Sequence, residues 1–212
     1  MKRVPVITLT IIAGALLIAG APALQELLVY DREKILGGEF WRLSTGHFVH
    51  LSREHLVWDV AAFAMIGASI EGKEIRRFGL LCLIAPWLIS ICSLVLEPQM
   101  NRYAGLSALA MAALVFFALR QNSRSVAGTV LALAAAKITF ELAAGASIFI
   151  EAASPEIRVA SLSHLVGALV GAAFALPIPS CLSSLRWAKQ VRSESPDYSR
   201  QIQGNAHRAP GG

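Results

Sequence analysis

The sequence TGHFVHLSREHLVWD, residues 45–59, contains three of the five histidines of the chain and leads directly into a long apolar stretch. His47, His50 and His55 stand where that stretch begins, and Asp59 lies inside it. Polar side chains are costly within a membrane and usually serve a function there. The segment therefore predicts a polar cluster at the boundary of a membrane helix.

The composition indicates a polytopic membrane protein. Of the 212 residues, 55% are hydrophobic and only 16% are charged, with a mean hydropathy of +0.57. Soluble domains usually carry a larger charged share, about 25%. The net charge is +5, but most basic residues flank apolar stretches, where they set orientation. We predict contact with a lipid bilayer and no nucleic-acid partner.

Six apolar stretches approach the length of about 20 residues that a helix needs to cross a membrane. They are residues 5–24, 53–71, 78–96, 106–120, 126–150 and 158–178. The sequence thus predicts an all-α membrane protein with a bundle of six transmembrane helices in residues 1–178. Residues 179–212 are polar and rich in serine, arginine and glutamine, which predicts a disordered cytoplasmic tail.

The basic residues predict the orientation of the bundle. They occur before the first span, between the second and third, between the fourth and fifth, and after the sixth, so all four groups fall on one side. Because lysine and arginine favour the cytoplasmic side, we predict that both termini are cytoplasmic. The external side then carries residues 25–52, residues 97–105 and a loop around Pro155.

Polar residues from three predicted spans reach similar depths near the external side. Ser107 begins the fourth span, His164 lies about two turns into the sixth, and His55 lies one turn from Asp59 on the second. A serine hydroxyl needs a base to become a good nucleophile, and His164 is the histidine of the later spans that can serve. The N–H groups at the start of the fourth span and the His55 side chain would stabilise an oxyanion.

These residues resemble those of the rhomboid intramembrane serine proteases. The similarity includes Trp41-Arg42, His50-x4-His55-x3-Asp59, Gly105-Leu106-Ser107 and His164-x2-Gly167-x3-Gly171. It implies a rhomboid-like bundle in which Ser107 is the nucleophile and His164 the base. It further implies that His55 forms part of the oxyanion hole, that His50 organises the first external loop, and that no cofactor is used.

A narrower resemblance is to the rhombosortases, bacterial rhomboids that act on proteins with a C-terminal Gly-Gly sorting helix. It depends on the Thr45-Gly46-His47-x2-His50 run, on a core of no more than six predicted spans, and on Lys137 with Glu141 in the fifth span. It implies a bacterial inner membrane and single-span substrates cut near the external face. Lys137 and Glu141 lie one turn apart with opposite charges, which predicts an ion pair with a structural role.

Two positions depart from the common rhomboid pattern. Ala108 follows the serine where many rhomboids have glycine, and Asp59 stands where asparagine is expected. An ionised aspartate only accepts hydrogen bonds, so it cannot donate to an oxyanion as asparagine would. Asp59 is then either protonated or orients His55 by accepting a hydrogen bond from it, and in both cases we expect a supporting role.

Two other interpretations are weighed against this one. The side chains of His47, His50, His55 and Asp59 are of the types that bind zinc, but their spacing is not that of a helical His-Glu-x-x-His site, so we predict no metal. The alternative function is a non-catalytic rhomboid-like protein that binds transmembrane helices. Such a protein would usually lack the serine or the histidine, and this chain has both.

Overall fold

The computed structural model describes residues 4–145 and 161–177. The chain divides into two units, Met1–Leu176 and Pro177–Gly212. The predicted tail, the loop around Pro155 and the basic residues at both ends of the chain lie outside the described residues. The boundary after residue 178 and the disordered tail therefore stay predictions.

The described part of the first unit is mostly helical. Its helices are α1 (Val6–Ala19), α2 (Pro22–Leu28), α3 (Arg32–Leu36), α4 (Arg42–Thr45), a 3₁₀ helix (Gly46–Phe48), α5 (Arg53–Leu96), α6 (Ser107–Leu119), α7 (Arg124–Ala144) and α8 (Ser161–Ala175). Two short strands, β1 (Tyr30–Asp31) and β2 (Arg102–Tyr103), pair antiparallel.

Helix α5 reverses its direction near the middle. Its 44 residues are interrupted at Glu74, where φ is −135° and ψ is 44°. The rings of Phe63 and Phe78 stack with centroids 6.1 Å apart, whereas these residues would be about 22 Å apart along a straight helix. We call residues 53–73 the first arm and residues 75–96 the second arm. They match the predicted second and third spans.

The membrane spans are clear in part of the bundle. Among the described helices, α5 and α7 are long and apolar enough to cross a membrane, while α6 and α8 are shorter. Helix α1 ends at Ala19, and the chain bends by 113° before α2. The predicted first span, residues 5–24, is thus interrupted, because the helix ends at Ala19 and Pro22, whose missing N–H suits the start of a helix, begins α2. Six crossings and the cytoplasmic termini stay predictions.

Helix α1 is tied to the end of the first arm by Glu71. The buried Glu71 carboxylate accepts hydrogen bonds from the backbone N–H groups of Ile7 and Thr8, at 2.7 and 2.9 Å, and from the Thr8 hydroxyl at 2.8 Å. The first N–H groups of a helix have no acceptor within it. Glu71, on a neighbouring helix, therefore provides the hydrogen-bond acceptor for the first N–H groups of α1.

Helix α6 lies at the centre of the bundle and packs directly against α8. Most of its side chains are buried, and five of the buried ones are alanines. On α8, a Cβ added at Gly167 or Gly171 would overlap the backbone carbonyl of Ala108 or Ala112. The small residues of both helices thus permit a backbone-to-backbone approach.

The segments between α2 and α5 are held together by a buried arginine and the small sheet. Arg42 donates to the carbonyl oxygens of Glu26 and Val29, at 2.9 and 2.8 Å, and pairs with Glu39. Residue 46 must be glycine, because the Tyr30 backbone occupies the space of a Cβ. These contacts fix the histidine-rich segment against the helices that follow.

Candidate active site

Ser107 and His164 are in hydrogen-bond contact. The Ser107 Oγ atom lies 2.8 Å from Nε2 of His164. Ser107 is the first residue of α6 and is partly exposed, whereas His164 is buried in α8. This is the distance that a base needs to take a proton from a hydroxyl group. The structure thus brings together the two predicted catalytic residues.

The turn before Ser107 requires a glycine for two reasons. Gly105 has a φ of +122°, which strains any residue with a side chain, and a Cβ at this position would collide with the His55 ring. The Gly105 N–H donates to the carbonyl of Gly46, at 3.2 Å. Gly105 therefore lets the loop before Ser107 pack directly against the His55 ring of the first arm.

Asp59 joins the two site histidines of the 45–59 segment. Its Oδ2 atom lies 3.1 Å from Nε2 of His50 and 3.1 Å from Nε2 of His55. The two rings meet edge to face, with centroids 5.0 Å apart. His50 Nε2 also lies 3.4 Å from the backbone N of Leu106. The predicted supporting residues thus form one cluster directly before the nucleophile.

The His47 side chain contacts the second arm and not the cluster around Asp59. Its Nε2 lies 3.1 Å from the carbonyl of Pro86 and 3.0 Å from the Ser90 hydroxyl, both in the second arm. Its Nδ1 lies 3.1 Å from the Tyr103 hydroxyl. Burial raises the pKa of Tyr103 well above its usual range, so this hydroxyl stays protonated. His47 therefore ties the loops to the second arm.

The donor atoms of His50, His55 and Asp59 lie within 4.8 Å of one another, so a metal site must be tested against this geometry. Imidazole and carboxylate groups are suitable zinc ligands. A metal-bound histidine normally donates its second N–H to a partner, yet the buried Nδ1 of His50 has none among the described residues. His47, the fourth ligand considered from the sequence, is engaged elsewhere. The residues fit a hydrogen-bonded cluster better than a metal site.

Glu141 is the site residue that sequence reasoning missed. The predicted ion pair forms, since Lys137 Nζ lies 2.5 Å from Glu141 Oε1. The other carboxylate oxygen, Oε2, lies 2.6 Å from Nδ1 of His164. Glu141 is fully buried. The sequence did contain an indication of this contact. A buried carboxylate needs a hydrogen-bond partner for each oxygen, and Lys137 is a partner for only one of the two oxygens of Glu141.

Ser107 and His164 open into a mostly apolar cavity of about 350 Å³. The first arm, α6 and α7 supply its walls, with Trp58, Met65 and Met111 among the apolar side chains. Lys137 also reaches the cavity. A site lined in this way suits an apolar segment of a substrate, with the reacting groups at one end.

A family model described as Rhomboid domain matches residues 37–180, about two thirds of the chain. The chain belongs to the rhomboid family. A search of curated proteins gives no match. Rhomboids are generally intramembrane serine proteases, and the match includes the Ser107–His164 contact and the histidine cluster. The chain is thus a multi-pass membrane protein of a family that acts on transmembrane substrates.

This rhomboid accommodates alanine after the serine. The close contact between α6 and α8 uses the backbone carbonyl of Ala108 and the bare α-carbon of Gly167. The approach of the two helices therefore does not require a glycine at position 108. Asp59 Oδ2 lies 3.1 Å from Nε2 of His55, as expected for a carboxylate that accepts a hydrogen bond from His55 and so orients its ring.

Proposed function

We propose that this rhomboid is an intramembrane serine endopeptidase in which Ser107 is the nucleophile and His164 is the base. The observation that carries the proposal is the 2.8 Å contact between Ser107 Oγ and His164 Nε2. Membership of a family that generally consists of such proteases supports it.

The reaction follows the chemistry of serine acyl transfer. His164 Nε2 takes the hydroxyl proton as Ser107 Oγ attacks the carbonyl carbon of the scissile bond. The tetrahedral intermediate collapses when the protonated His164 gives that proton to the leaving amine. Water then attacks the acyl-enzyme, with His164 again as the base, and releases the acid and free Ser107.

The oxyanion is stabilised from two sides of Ser107. The first N–H groups of α6 lack acceptors within the helix and are suitable donors for a negative oxygen. His55 supplies the second donor. A neutral His55 that donates Nε2–H to Asp59 has no proton on its other nitrogen, so it donates to the oxyanion in its doubly protonated form. Asp59 is the counter-ion of that form.

The proposed substrate is a single-span membrane protein cut near the external face of a bacterial inner membrane. A regular helix hides its carbonyl groups in backbone hydrogen bonds, so the substrate must unwind where it is cut. The apolar cavity beside Ser107 suits such a segment. The residues shared with rhombosortases support a narrower class, proteins with a C-terminal Gly-Gly sorting helix.

The decisive experiment is labelling of the purified protein by a fluorophosphonate probe, combined with cleavage of a single-span substrate. Ser107→Ala and His164→Ala should each abolish cleavage while the protein still inserts and folds. Labelling should depend on Ser107. Normal cleavage by Ser107→Ala would refute the assignment. The alternative of a non-catalytic helix-binding protein predicts no labelling of the wild type.

A further inference from the structure

The Glu141 carboxylate lies between the proposed base and a lysine. Its Oε2 is 2.6 Å from His164 Nδ1, and its Oε1 is 2.5 Å from Lys137 Nζ. It is fully buried on α7, whereas Lys137 is partly exposed. Both oxygens are thus used, one by each neighbour.

The contact with Glu141 selects one tautomer of the His164 ring. A neutral imidazole carries one proton, either on Nδ1 or on Nε2. A carboxylate at Nδ1 requires the proton there, because it accepts hydrogen bonds and cannot donate one. The lone pair is then on Nε2, which faces the Ser107 hydroxyl at 2.8 Å. The opposite tautomer could not take the serine proton.

The same carboxylate balances the charge that appears during the reaction. When Nε2 takes the serine proton, the His164 ring becomes a cation in a buried environment. A negative charge 2.6 Å from Nδ1 stabilises that cation. Lys137 Nζ lies 3.3 Å from the same Nδ1. Lys137 Nζ and His164 Nδ1 both carry protons in this state, so the contact between them is not a hydrogen bond. Lys137 instead interacts with the Glu141 carboxylate.

We propose that Glu141 is a positioning residue that extends the Ser107–His164 pair to a triad, with Lys137 as the counter-ion of Glu141. The inference rests on the proposed serine-protease function. It gives the Lys137–Glu141 pair a part in the reaction in addition to the structural role expected from its spacing.

The test compares variants of the full chain by fluorophosphonate labelling, by kcat and KM on a single-span substrate, and by thermal unfolding. Glu141→Gln keeps the size of the side chain but removes its charge. It should lower kcat and the labelling rate by about 10⁴-fold, the loss expected when the orienting carboxylate of a serine triad becomes an amide, with KM changed less than about twofold. The matched control is Glu71→Gln, which removes a buried carboxylate that caps α1 and should keep kcat.

A second comparison separates orientation of His164 from simple neutralisation of Lys137. Lys137→Met leaves Glu141 beside His164 but removes its counter-ion, so it should lower kcat less than Glu141→Gln does. Lys137→Met with Glu141→Gln should be as slow as Glu141→Gln alone. Recovery of the wild-type kcat in this double variant would mean that Glu141 only balances Lys137, and the proposal would be wrong. Because the double variant leaves no unpaired lysine, the comparison also holds if Glu141→Gln alone fails to fold.

The rescue variant is Glu141→Asp, which keeps a carboxylate one methylene further from His164. Its kcat should lie between those of the wild type and Glu141→Gln. A wild-type kcat in Glu141→Gln would overturn the role of Glu141 while leaving Ser107 as the nucleophile. Failure of the wild type to be labelled at Ser107 would overturn the proposed function itself.

Discussion

Substitution of Gly167 by alanine tests how the bundle brings the two proposed catalytic residues, Ser107 and His164, together. A Cβ at this position would lie within 3.0 Å of the Ala108 carbonyl, closer than real Cβ atoms come to their neighbours. That carbonyl belongs to the backbone of α6 and cannot rotate away. Helix α8 must therefore move away from α6 at this level.

The expected displacement is large enough to separate Ser107 from His164. Residues 164 and 167 lie one turn apart on one face of α8, so a shift at one position is passed to the other. A shift of roughly 1 Å would stretch the 2.8 Å contact beyond hydrogen-bond range. Misplacement of reacting groups by about 1 Å costs about 10²-fold in rate. Overpacking should also lower the free energy of unfolding by about 1 to 3 kcal/mol.

The assay is the rate of fluorophosphonate labelling and of substrate cleavage, with thermal unfolding measured in parallel. Gly128→Ala on α7 is the matched control, because a Cβ there meets nothing within 4 Å. Gly167→Ala should be about 10²-fold slower than this control while remaining folded. A rate within about twofold of the control would refute the claim that the α6–α8 approach sets the Ser107–His164 distance.

The remaining predictions concern the histidine cluster. His55→Ala should lower kcat by about 10² to 10³-fold in cleavage kinetics, with less effect on KM, as expected for one lost oxyanion donor; an unchanged kcat would remove His55 from the oxyanion site. Asp59→Asn removes the counter-ion of His55, but its amide oxygen can still accept from His55 and its N–H can itself donate to the oxyanion, so this variant should retain substantial activity. Asp59→Ala, which leaves His50 and His55 without their shared acceptor, should lose more. Equal rates for Asp59→Ala and the wild type would exclude a supporting role. A chelator should leave the wild-type rate unchanged, and a loss that zinc restores would favour a metal site at His50, His55 and Asp59.

The features that could be predicted from the sequence have local signals. Apolar length and basic flanks predict the membrane class and most helices. The contact of Ser107 with His164 was also predicted, because each residue has a fixed depth from the end of its span. The end of α1 was placed too late, since hydropathy continues through residues 21–24 although Pro22 interrupts the helix.

The features that were missed depend on contacts between distant parts of the chain. Glu141 has an ion-pair partner one turn away in Lys137, and that local explanation concealed the approach of His164 from another helix. His47 was considered as a zinc ligand, but its partners Pro86 and Ser90 lie in the second arm. Only the packing of the helices decides between such partners, and hydropathy patterns do not contain that information.

The Glu71 contact has a consequence for the order in which the protein is assembled during synthesis. Helix α1 is translated before the first arm, so its first N–H groups and the Thr8 hydroxyl reach the membrane before their acceptor exists. Unpaired backbone donors are costly in lipid. Helix α1 therefore reaches its final set of hydrogen bonds only after residue 71 has been made, and until then water at the membrane surface must serve as the acceptor. We expect α1 to pack against the first arm only after both segments have been made.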